Sequence, residues 1–429
     1  MKNKIMFVLP DMSWLWDYKS QFSLGILYLS SAIKKYTDFE VELYDTNVND
    51  IKDIPFANVY AFSSVTPTYN NCIELAKSIH EKYPDSQIII GGVHASMDSG
   101  NIDNVFDAVF VGQAEKTIVK YLNYYENMQE FKLPFSVKLI NLHKVKIYKQ
   151  DGDIDIDDLL PDRKLLTDDY IRTPSIFTGG KTFDDQGATS IMFSRGCPYK
   201  CTFCTSPKLY PKLNLRNVDC IIDEIKYIIG EYGIRQFRVQ DDTFTVNKKF
   251  LRELCGKLKP LNIYYRCSTR VNCVDEENIK LLYESGCREI GIGVEVADND
   301  VLKKLDKGIT IEMVQNALSI IRKYDMVVRC FFMMGLPYDS YETMNKNIEF
   351  IENNKIENVV VGNLLPFKGT RLYDESNKFN IKEINLYGCM NVGKHIPLIP
   401  NIKRKDIGVM EHIDIMKVFY DYLIMKEFI

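Results

Sequence analysis

The chain has 429 residues, of which 26% are charged and 46% are hydrophobic, and this length and composition predict a globular protein of two or three domains. Its formal net charge of −4 at pH 7 gives no basic surface typical of nucleic-acid or anionic-membrane binding, and no apolar run approaches the ~20 residues of a membrane span. The apolar run near the N-terminus stops at Pro10, too early for a signal peptide. We therefore expect a cytoplasmic protein that binds neither nucleic acid nor a membrane.

Residues 1–128 alternate strand and helix patterns. Short apolar runs predict strands over 4–10, 41–47, 59–65, 87–92 and 108–112, and helical spacing predicts helices over 23–36, 68–83 and 115–125. This repetition indicates an α/β domain with a Rossmann-like, doubly wound parallel sheet. Ligands of such sheets bind in the loops beyond the carboxyl ends of the strands, and here those loops are rich in Gly, Ser and Thr.

Residues 129–187 lack this periodicity. They are acidic, contain glycine and predict a linker, with a short hairpin near 136–150.

The alternation resumes over residues 188–375. Strands are predicted over 190–196, 236–242, 263–270, 289–296, 327–335 and 358–366, and every strand after the first is preceded by a helical segment. Six such units predict a partial (β/α)6 TIM barrel, whose active site lies at the C-terminal face of the strands.

Three cysteines follow the first strand of this second region. Cys197, Cys201 and Cys204 have the spacing C-x3-C-x2-C. A structural zinc site needs a fourth ligand, and no further Cys or His lies near enough in the sequence to supply it. Three thiolates instead suit a four-iron four-sulfur (4Fe–4S) cluster with one iron open to a small molecule. The other eight cysteines are scattered, and we expect them to be small buried hydrophobic residues: Cys72, Cys220, Cys255, Cys267, Cys273, Cys287, Cys330 and Cys389.

This cysteine motif and the segments after it resemble the radical SAM superfamily, whose members bind S-adenosyl-L-methionine (SAM) at a 4Fe–4S cluster. The resemblance implies that Phe203 contacts the adenine and that Asp241 or Asp242, in RVQDDTFT, holds the methionyl amino group. It also implies that the strand ends STR and GIGVE bring Ser268, Arg270 and Glu295 to SAM.

The N-terminal domain resembles the cobalamin-binding domain that precedes many radical SAM cores. The similar stretches include FSSVTPTY, GGVHAS and VGQAEKTI, and no D-x-H-x-x-G motif offers an axial histidine to cobalt. The resemblance implies that the following residues contact cobalamin: Ser63, Ser64, Thr66, Gly91, Gly92, His94, Gly112 and Gln113.

The two resemblances together imply a cobalamin-dependent C-methyltransferase. Flavodoxin or ferredoxin would reduce the cluster, SAM would be cleaved to a 5′-deoxyadenosyl radical, and methylcobalamin would methylate an unactivated carbon. The alternatives are radical ring formation, rearrangement or dehydration without methyl transfer, with or without bound cobalamin. An electron carrier would need no barrel, and a methylthiotransferase would need three further cysteines in a domain that holds only Cys72.

Residues 376–429 predict a short helical extension. The apolar face of a helix over 407–427 is expected to cover the open side of the barrel, and Cys389 and His395 before it are expected to be bystanders. The short extension favours a small-molecule substrate over a peptide lying in the cleft, and the substrate itself is not encoded in any motif.

Overall fold

A computed structural model describes residues 2–12, 15, 17–127, 146–149, 156–174, 186–385 and 398–429. Contacts between residues divide the chain into two compact units, Met1–Ile171 and Arg172–Ile429. Among the described residues, no helix combines the length and the apolar character that crossing a membrane requires.

The first unit is built on a six-stranded parallel sheet. Its strands run in the spatial order β2-β1-β3-β4-β5-β6 and have these bounds: β1 Lys4–Leu9, β2 Glu40–Asp45, β3 Val59–Ser63, β4 Gln87–Gly91, β5 Ala108–Val111 and β6 Lys146–Lys149. Its helices are α1 Leu24–Tyr36, α2 Tyr69–Lys82, α3 Gly92–Met97, α4 Glu115–Asn127 and α5 Asp168–Ile171.

Helices cover both faces of this sheet, and β1 shows why. Ile5, Phe7 and Leu9 belong to one buried cluster, together with side chains of α1 and α4. Met6 and Val8 belong to a second cluster, together with side chains of α2 and α3. A strand buried on both faces reads as a continuous apolar run, so the predicted doubly wound sheet is confirmed.

Three local features of the first unit differ from the sequence expectation. Residues 146–149 of the expected hairpin form a parallel strand beside β5, and the rest of that hairpin lies outside the described residues. The expected loop after β4 begins the short helix α3. Part of the expected linker packs on the first unit, where Tyr170 donates a buried hydrogen bond to Asp45 Oδ2 at 2.5 Å.

The second unit is built on a six-stranded parallel sheet whose strands lie side by side in chain order. The strands are β7 Ala188–Ile191, β10 Gln236–Val239, β11 Tyr264–Thr269, β12 Cys287–Glu295, β13 Val327–Met334 and β14 Asn358–Asn363. A short antiparallel pair, β8 Ser194–Arg195 and β9 Asn214–Leu215, follows β7. The helices are α6 Ser206–Leu209, α7 Val218–Tyr232, α8 Lys248–Leu258, α9 Glu276–Glu284, α10 Asn299–Lys304, α11 Ile311–Ile321 and α12 Tyr341–Asn353. This curled open sheet with helical crossovers confirms the predicted partial barrel.

The C-terminal region contains more than the predicted helix. Helix α13 (Arg371–Asp374) is followed by an antiparallel pair, β15 (Ile381–Ile384) and β16 (Ile402–Arg404), and by helix α14 (Val409–Met425). The expectation that the last helix covers the open side of the barrel is wrong. Helix α14 packs beside α12, where the ring centroid of Phe419 lies 5.8 Å from that of Phe332 on the helix-facing side of β13.

Candidate functional site

The three clustered cysteines lie on one loop at the carboxyl end of β7. The pair β8–β9 joins the two ends of this loop, so the loop is closed at its base. The loop is also anchored at Thr202, whose backbone N–H and hydroxyl both donate to Leu305 O at 3.2 and 2.9 Å. Leu372 N–H donates to Thr202 O at 2.9 Å, which ties the loop to α13. The thiols are therefore carried by a segment that neighbouring elements hold in place.

Each cysteine has a defined polar surrounding. Cys197 Sγ lies 3.2 Å from the hydroxyl of Thr243, and Cys201 Sγ accepts a hydrogen bond from Arg270 Nη1 at 2.9 Å. Burial raises the pKa of the Cys204 thiol to about 11, so this thiol carries a proton at neutral pH until a metal displaces it.

The cysteines fit a 4Fe–4S cluster better than a single ion. Among the described residues, no three His, Cys, Asp or Glu side chains converge on a point that could hold one metal. A zinc ion needs such convergence, whereas the thiolates of a cluster bind separate irons. The three thiols are nevertheless neighbours, since Cys197 and Cys201 both act electrostatically on Cys204.

The two adjacent aspartates after β10 have different surroundings. Asp241 is 3% exposed and accepts hydrogen bonds from Phe193 N–H, at 2.8 Å, and from the Ser194 hydroxyl. Burial raises the pKa of Asp241 to about 6. Asp242 is exposed, accepts a hydrogen bond from Ser206 Oγ and lies near Cys204. Asp241 therefore supports the start of the cysteine loop, and Asp242 faces the thiols.

A buried ion pair lies at the end of β12. Glu295 Oε1 is 2.5 Å from Lys307 Nζ, and both residues are under 10% exposed. Glu295 has a φ of 68°, a left-handed conformation that is strained for a residue with a side chain and is common at functional sites. A Cβ at Gly293 would lie 2.4 Å from Glu295 Oε1 and 2.7 Å from Lys307 Nζ, so glycine leaves the space that the ion pair occupies.

Lys307 also reaches the cysteine loop. Its Nζ lies 5.8 Å from the ring centroid of Phe203, the residue predicted to contact adenine. Sequence reasoning missed Lys307, because only the fold brings the segment after α10 back to β12. It likewise missed Tyr199 and Thr243.

Ser268 and Arg270, the two residues predicted at the end of β11, differ in burial and in the groups that they contact. Ser268 is half-buried, and its hydroxyl would lie 3.1 Å from a Cβ built on Gly291 of the neighbouring strand. Arg270 is 7% exposed and contacts the cysteine loop directly. The fold thus gathers the cysteine loop and the ends of β10, β11 and β12 around one site.

The scattered cysteines are free thiols wherever the structure describes them. Five are buried, as expected: Cys72, Cys255, Cys267, Cys287 and Cys330. Cys220 and Cys273 are partly exposed, contrary to the expectation, and Cys273 Sγ lies 3.1 Å from the hydroxyl of Tyr199. Cys389 and His395 lie outside the described residues.

The predicted cobalamin loops of the first unit meet at the carboxyl ends of β3, β4 and β5. Ser64 is fully buried, and both its N–H and its hydroxyl donate to Gly91 O, at 2.9 and 3.0 Å. Gly92 has a φ of 92°, and a Cβ there would lie 2.6 Å from Ser64 O. Gly112 N–H donates a hydrogen bond to Ser96 Oγ at 2.9 Å. These contacts hold the three loops close together through their backbones.

Partly exposed groups line the same edge of the sheet. Ser63, Thr66 and Gln113 are half-buried. His94 stacks on Tyr69 with ring centroids 4.0 Å apart, and its Nδ1 lies 3.2 Å from the Thr66 hydroxyl. Burial lowers the pKa of His94, so its imidazole is neutral at pH 7. Close backbone approach beside hydroxyl and amide groups fits the tail of a large cofactor, and the held imidazole fits a contact with the tail.

Two family models match the chain. Residues 191–351 match the radical SAM superfamily, and residues 20–122 match the B12 binding domain. The first range holds the cysteine loop and the ends of β10, β11 and β12. The second holds the loops after β3, β4 and β5.

Curated relatives cover most of the chain. It is 26% identical over 408 residues to an uncharacterized methyltransferase of Pyrococcus horikoshii, a match that covers 89% of this chain and 83% of that protein. It is 24% identical over 363 residues to the bacteriochlorophyllide d C-12(1)-methyltransferase of Chlorobaculum tepidum, covering 82% and 73%.

A solved structure shares the fold. The radical S-adenosylmethionine methyltransferase TsrM from Kitasatospora setae, with tryptophan substrate and a SAM analogue bound, matches with a TM-score of 0.69 at 16% identity. The match covers 87% of this chain and 75% of TsrM.

Proposed function

This chain is an enzyme of the radical SAM superfamily with a B12 binding domain before its radical SAM domain, and we propose that it methylates carbon. Its cofactors are a 4Fe–4S cluster, SAM and cobalamin. When bound, they supply one-electron cleavage of SAM, removal of a hydrogen atom from carbon and delivery of a methyl group held on cobalt. The observation that carries the proposal is that both cofactor domains lie on one chain whose curated relatives include methyltransferases over most of its length.

Cys197, Cys201 and Cys204 hold the cluster in this proposal. Three thiolates would bind three of the four irons, so the fourth iron would be open to the amino and carboxylate groups of SAM. The hydroxyl of Thr243 and the guanidinium of Arg270, which contact two of these sulfurs, orient the loop that carries them.

Asp242, rather than Asp241, contacts the amino group of SAM. The exposure of Asp242 beside the cysteine loop supports this choice. Asp241 is instead held at the start of the loop by the hydrogen bonds that it accepts from Phe193 N–H and from the Ser194 hydroxyl. Ser268 and Glu295 contact the remaining polar groups of SAM from the ends of β11 and β12. The Phe203 ring packs on the adenine.

The loops after β3, β4 and β5 hold cobalamin. The half-buried groups Ser63, Thr66, His94 and Gln113 contact its tail, and the backbones at Gly91, Gly92 and Gly112 allow the tail to approach closely. Buried Ser64 supports these loops through Gly91 O.

Radical SAM enzymes take small-molecule substrates and need a reductant. A flavodoxin or ferredoxin is the proposed electron donor, and a small molecule with an unactivated carbon is the proposed substrate. The proposed location is the reducing cytoplasm, because oxidants destroy a cluster that has an open iron. The proposed domain bounds are 1–128, 188–375 and 376–429, with a linker over 129–187.

The proposal can be tested without knowing the substrate. The protein is purified without oxygen, its cluster is rebuilt from iron and sulfide, and hydroxocobalamin is added. About one corrinoid per chain is expected to co-elute with the protein. After reduction and addition of SAM, S-adenosylhomocysteine is expected from methylation of the bound cobalamin, together with 5′-deoxyadenosine from cleavage of SAM.

Cys201→Ala is the decisive variant, with Cys220→Ala as its matched control. Cys201→Ala is expected to abolish 5′-deoxyadenosine formation and to retain the corrinoid, whereas Cys220→Ala leaves both unchanged. A protein that cleaves SAM but binds no corrinoid would contradict methyl transfer from cobalamin and favour a radical enzyme without it.

A further inference from the structure

Arg270 is a buried cation at the end of β11 that contacts a cluster-binding cysteine. It is 7% exposed, and its Nη1 lies 2.9 Å from Cys201 Sγ. This contact places the positive charge of the guanidinium against the sulfur. Among the described residues, no carboxylate forms an ion pair with this guanidinium.

Three further contacts fix the orientation of the guanidinium. Nε donates to Asn272 Oδ1 at 3.2 Å, and Nη2 donates to the backbone carbonyl of Lys307. The guanidinium carbon lies 4.1 Å from the ring centroid of Tyr199, which stands between Cys197 and Cys201 in the cysteine loop. Because an arginine fork is planar, these contacts direct one N–H at Cys201 and leave the side chain little freedom.

A cation that donates to a ligating sulfur changes the redox balance of a cluster. Reduction adds a negative charge that spreads onto the thiolates, and hydrogen bonds to sulfur stabilise that charge. A charged donor is stronger than a neutral one, and its effect grows where water is excluded.

We infer that Arg270 raises the reduction potential of the cluster, so that a weak biological reductant can supply the electron. This inference rests on the proposed function, because it requires the cluster. It gives Arg270 a role different from the contact with SAM that the sequence analysis predicts. Tyr199 is the positioning residue that holds the guanidinium against Cys201.

The test is the midpoint potential of the reconstituted cluster, measured by electron paramagnetic resonance in the absence of SAM and cobalamin. Arg270→Gln keeps polar bulk and removes the charge. Its equilibrium constant for one-electron reduction is expected to fall at least tenfold, which is about 59 mV for one electron. Tyr199→Leu keeps the charge of Arg270 but removes the ring that holds the guanidinium in place. This variant is expected to lower the midpoint potential by less than Arg270→Gln does.

Two further variants complete the design. Arg252→Gln removes an exposed arginine that pairs with Glu277 on the surface, and it is expected to leave the potential unchanged. Arg270→Lys keeps a charge without the fork and the stacking, and its potential is expected between those of the parent and Arg270→Gln. If Arg270→Gln assembles no cluster, Arg270→Lys decides: a lowered potential supports the inference, and an unchanged one overturns it.

The inference is overturned if Arg270→Gln holds a full cluster at the parent potential. It is also overturned if that variant loses only SAM affinity, which would assign the guanidinium to SAM. Failure of the parent protein to assemble a cluster would instead contradict the proposed function, so the two failures are distinguishable.

Discussion

Replacing Asp241 with asparagine should stabilise the protein at neutral pH. The carboxyl group is 3% exposed and accepts hydrogen bonds from Phe193 N–H and the Ser194 hydroxyl. An amide of the same shape keeps both contacts, because its oxygen accepts from Phe193 and its NH2 donates to the oxygen of Ser194. The substitution therefore removes a buried charge and little else.

The magnitude follows from the pKa of Asp241, which burial raises from 3.8 to about 6. Below pH 3.8 the carboxyl is neutral in both the folded and the unfolded chain, and its stabilising contribution is fully present. That contribution is lost as the pH rises through about 6, since the folded state must then ionise a buried group. At about 1.36 kcal/mol per pKa unit, the loss reaches about 3 kcal/mol by pH 8 and about half that at pH 5.

The assay is urea unfolding followed by circular dichroism, without oxygen, between pH 5 and pH 8. Asp241→Asn should exceed the parent in free energy of unfolding by up to about 3 kcal/mol at pH 8, and this difference should shrink toward pH 5. Asp241→Ala should be less stable than Asp241→Asn at every pH in this range, because it leaves Phe193 N–H without its acceptor at a cost of about 1–3 kcal/mol.

A stability difference between Asp241→Asn and the parent that does not change with pH would refute this reasoning. So would a loss of SAM binding in Asp241→Asn as large as that in Asp242→Asn.

Three other outcomes are expected. Asp242→Asn should weaken SAM binding at least tenfold in equilibrium dialysis while iron content stays at the parent value; unchanged affinity would remove Asp242 from the SAM site. Gly92→Ala should lose corrinoid binding but still form 5′-deoxyadenosine. The new Cβ would lie 2.6 Å from Ser64 O, and holding alanine at the φ of 92° costs a further ~1–3 kcal/mol. Retained corrinoid would contradict the assignment of the loops after β3, β4 and β5 to cobalamin. Arg216→Ala should lower the free energy of unfolding by about 3–5 kcal/mol. The buried Glu224 carboxylate, which lies 2.6 Å from Arg216 Nη1, would then lack this cation. A loss under ~1 kcal/mol in urea unfolding would refute the assigned role of this ion pair.

The succession of strands and helices along the chain was predictable, apart from β6, because periodicity is local. Both parallel sheets, the position of the cysteine loop and the last helix follow from apolar spacing along the chain. The β15–β16 pair was not predicted, since two short strands carry little periodic signal.

The choice between Asp241 and Asp242 could not be made from the sequence. The two residues are adjacent and chemically identical, and only the fold shows that Phe193 and Ser194 donate to the first of them. The same limit applies to Lys307, whose pairing with Glu295 depends on a return of the chain after α10. Contacts made across the sheet leave no pattern in neighbouring residues.

The identity of Arg270 as a polar residue of the site was predictable, but its partner was not. A strand end in a barrel points its side chains at the active site, which the STR segment satisfies. Whether a guanidinium there meets a carboxylate of SAM or a sulfur of the cluster depends on the loop opposite, and here Cys201 Sγ lies 2.9 Å away.

The most direct test of the central claim is the Mössbauer spectrum of the protein reconstituted with iron-57, recorded with and without SAM. Three thiolates predict one iron that differs from its three neighbours, and the signal of that iron alone should shift when SAM binds. Four equivalent irons whose Mössbauer signals do not change when SAM is added, or no four-iron signal at all, would contradict the claim.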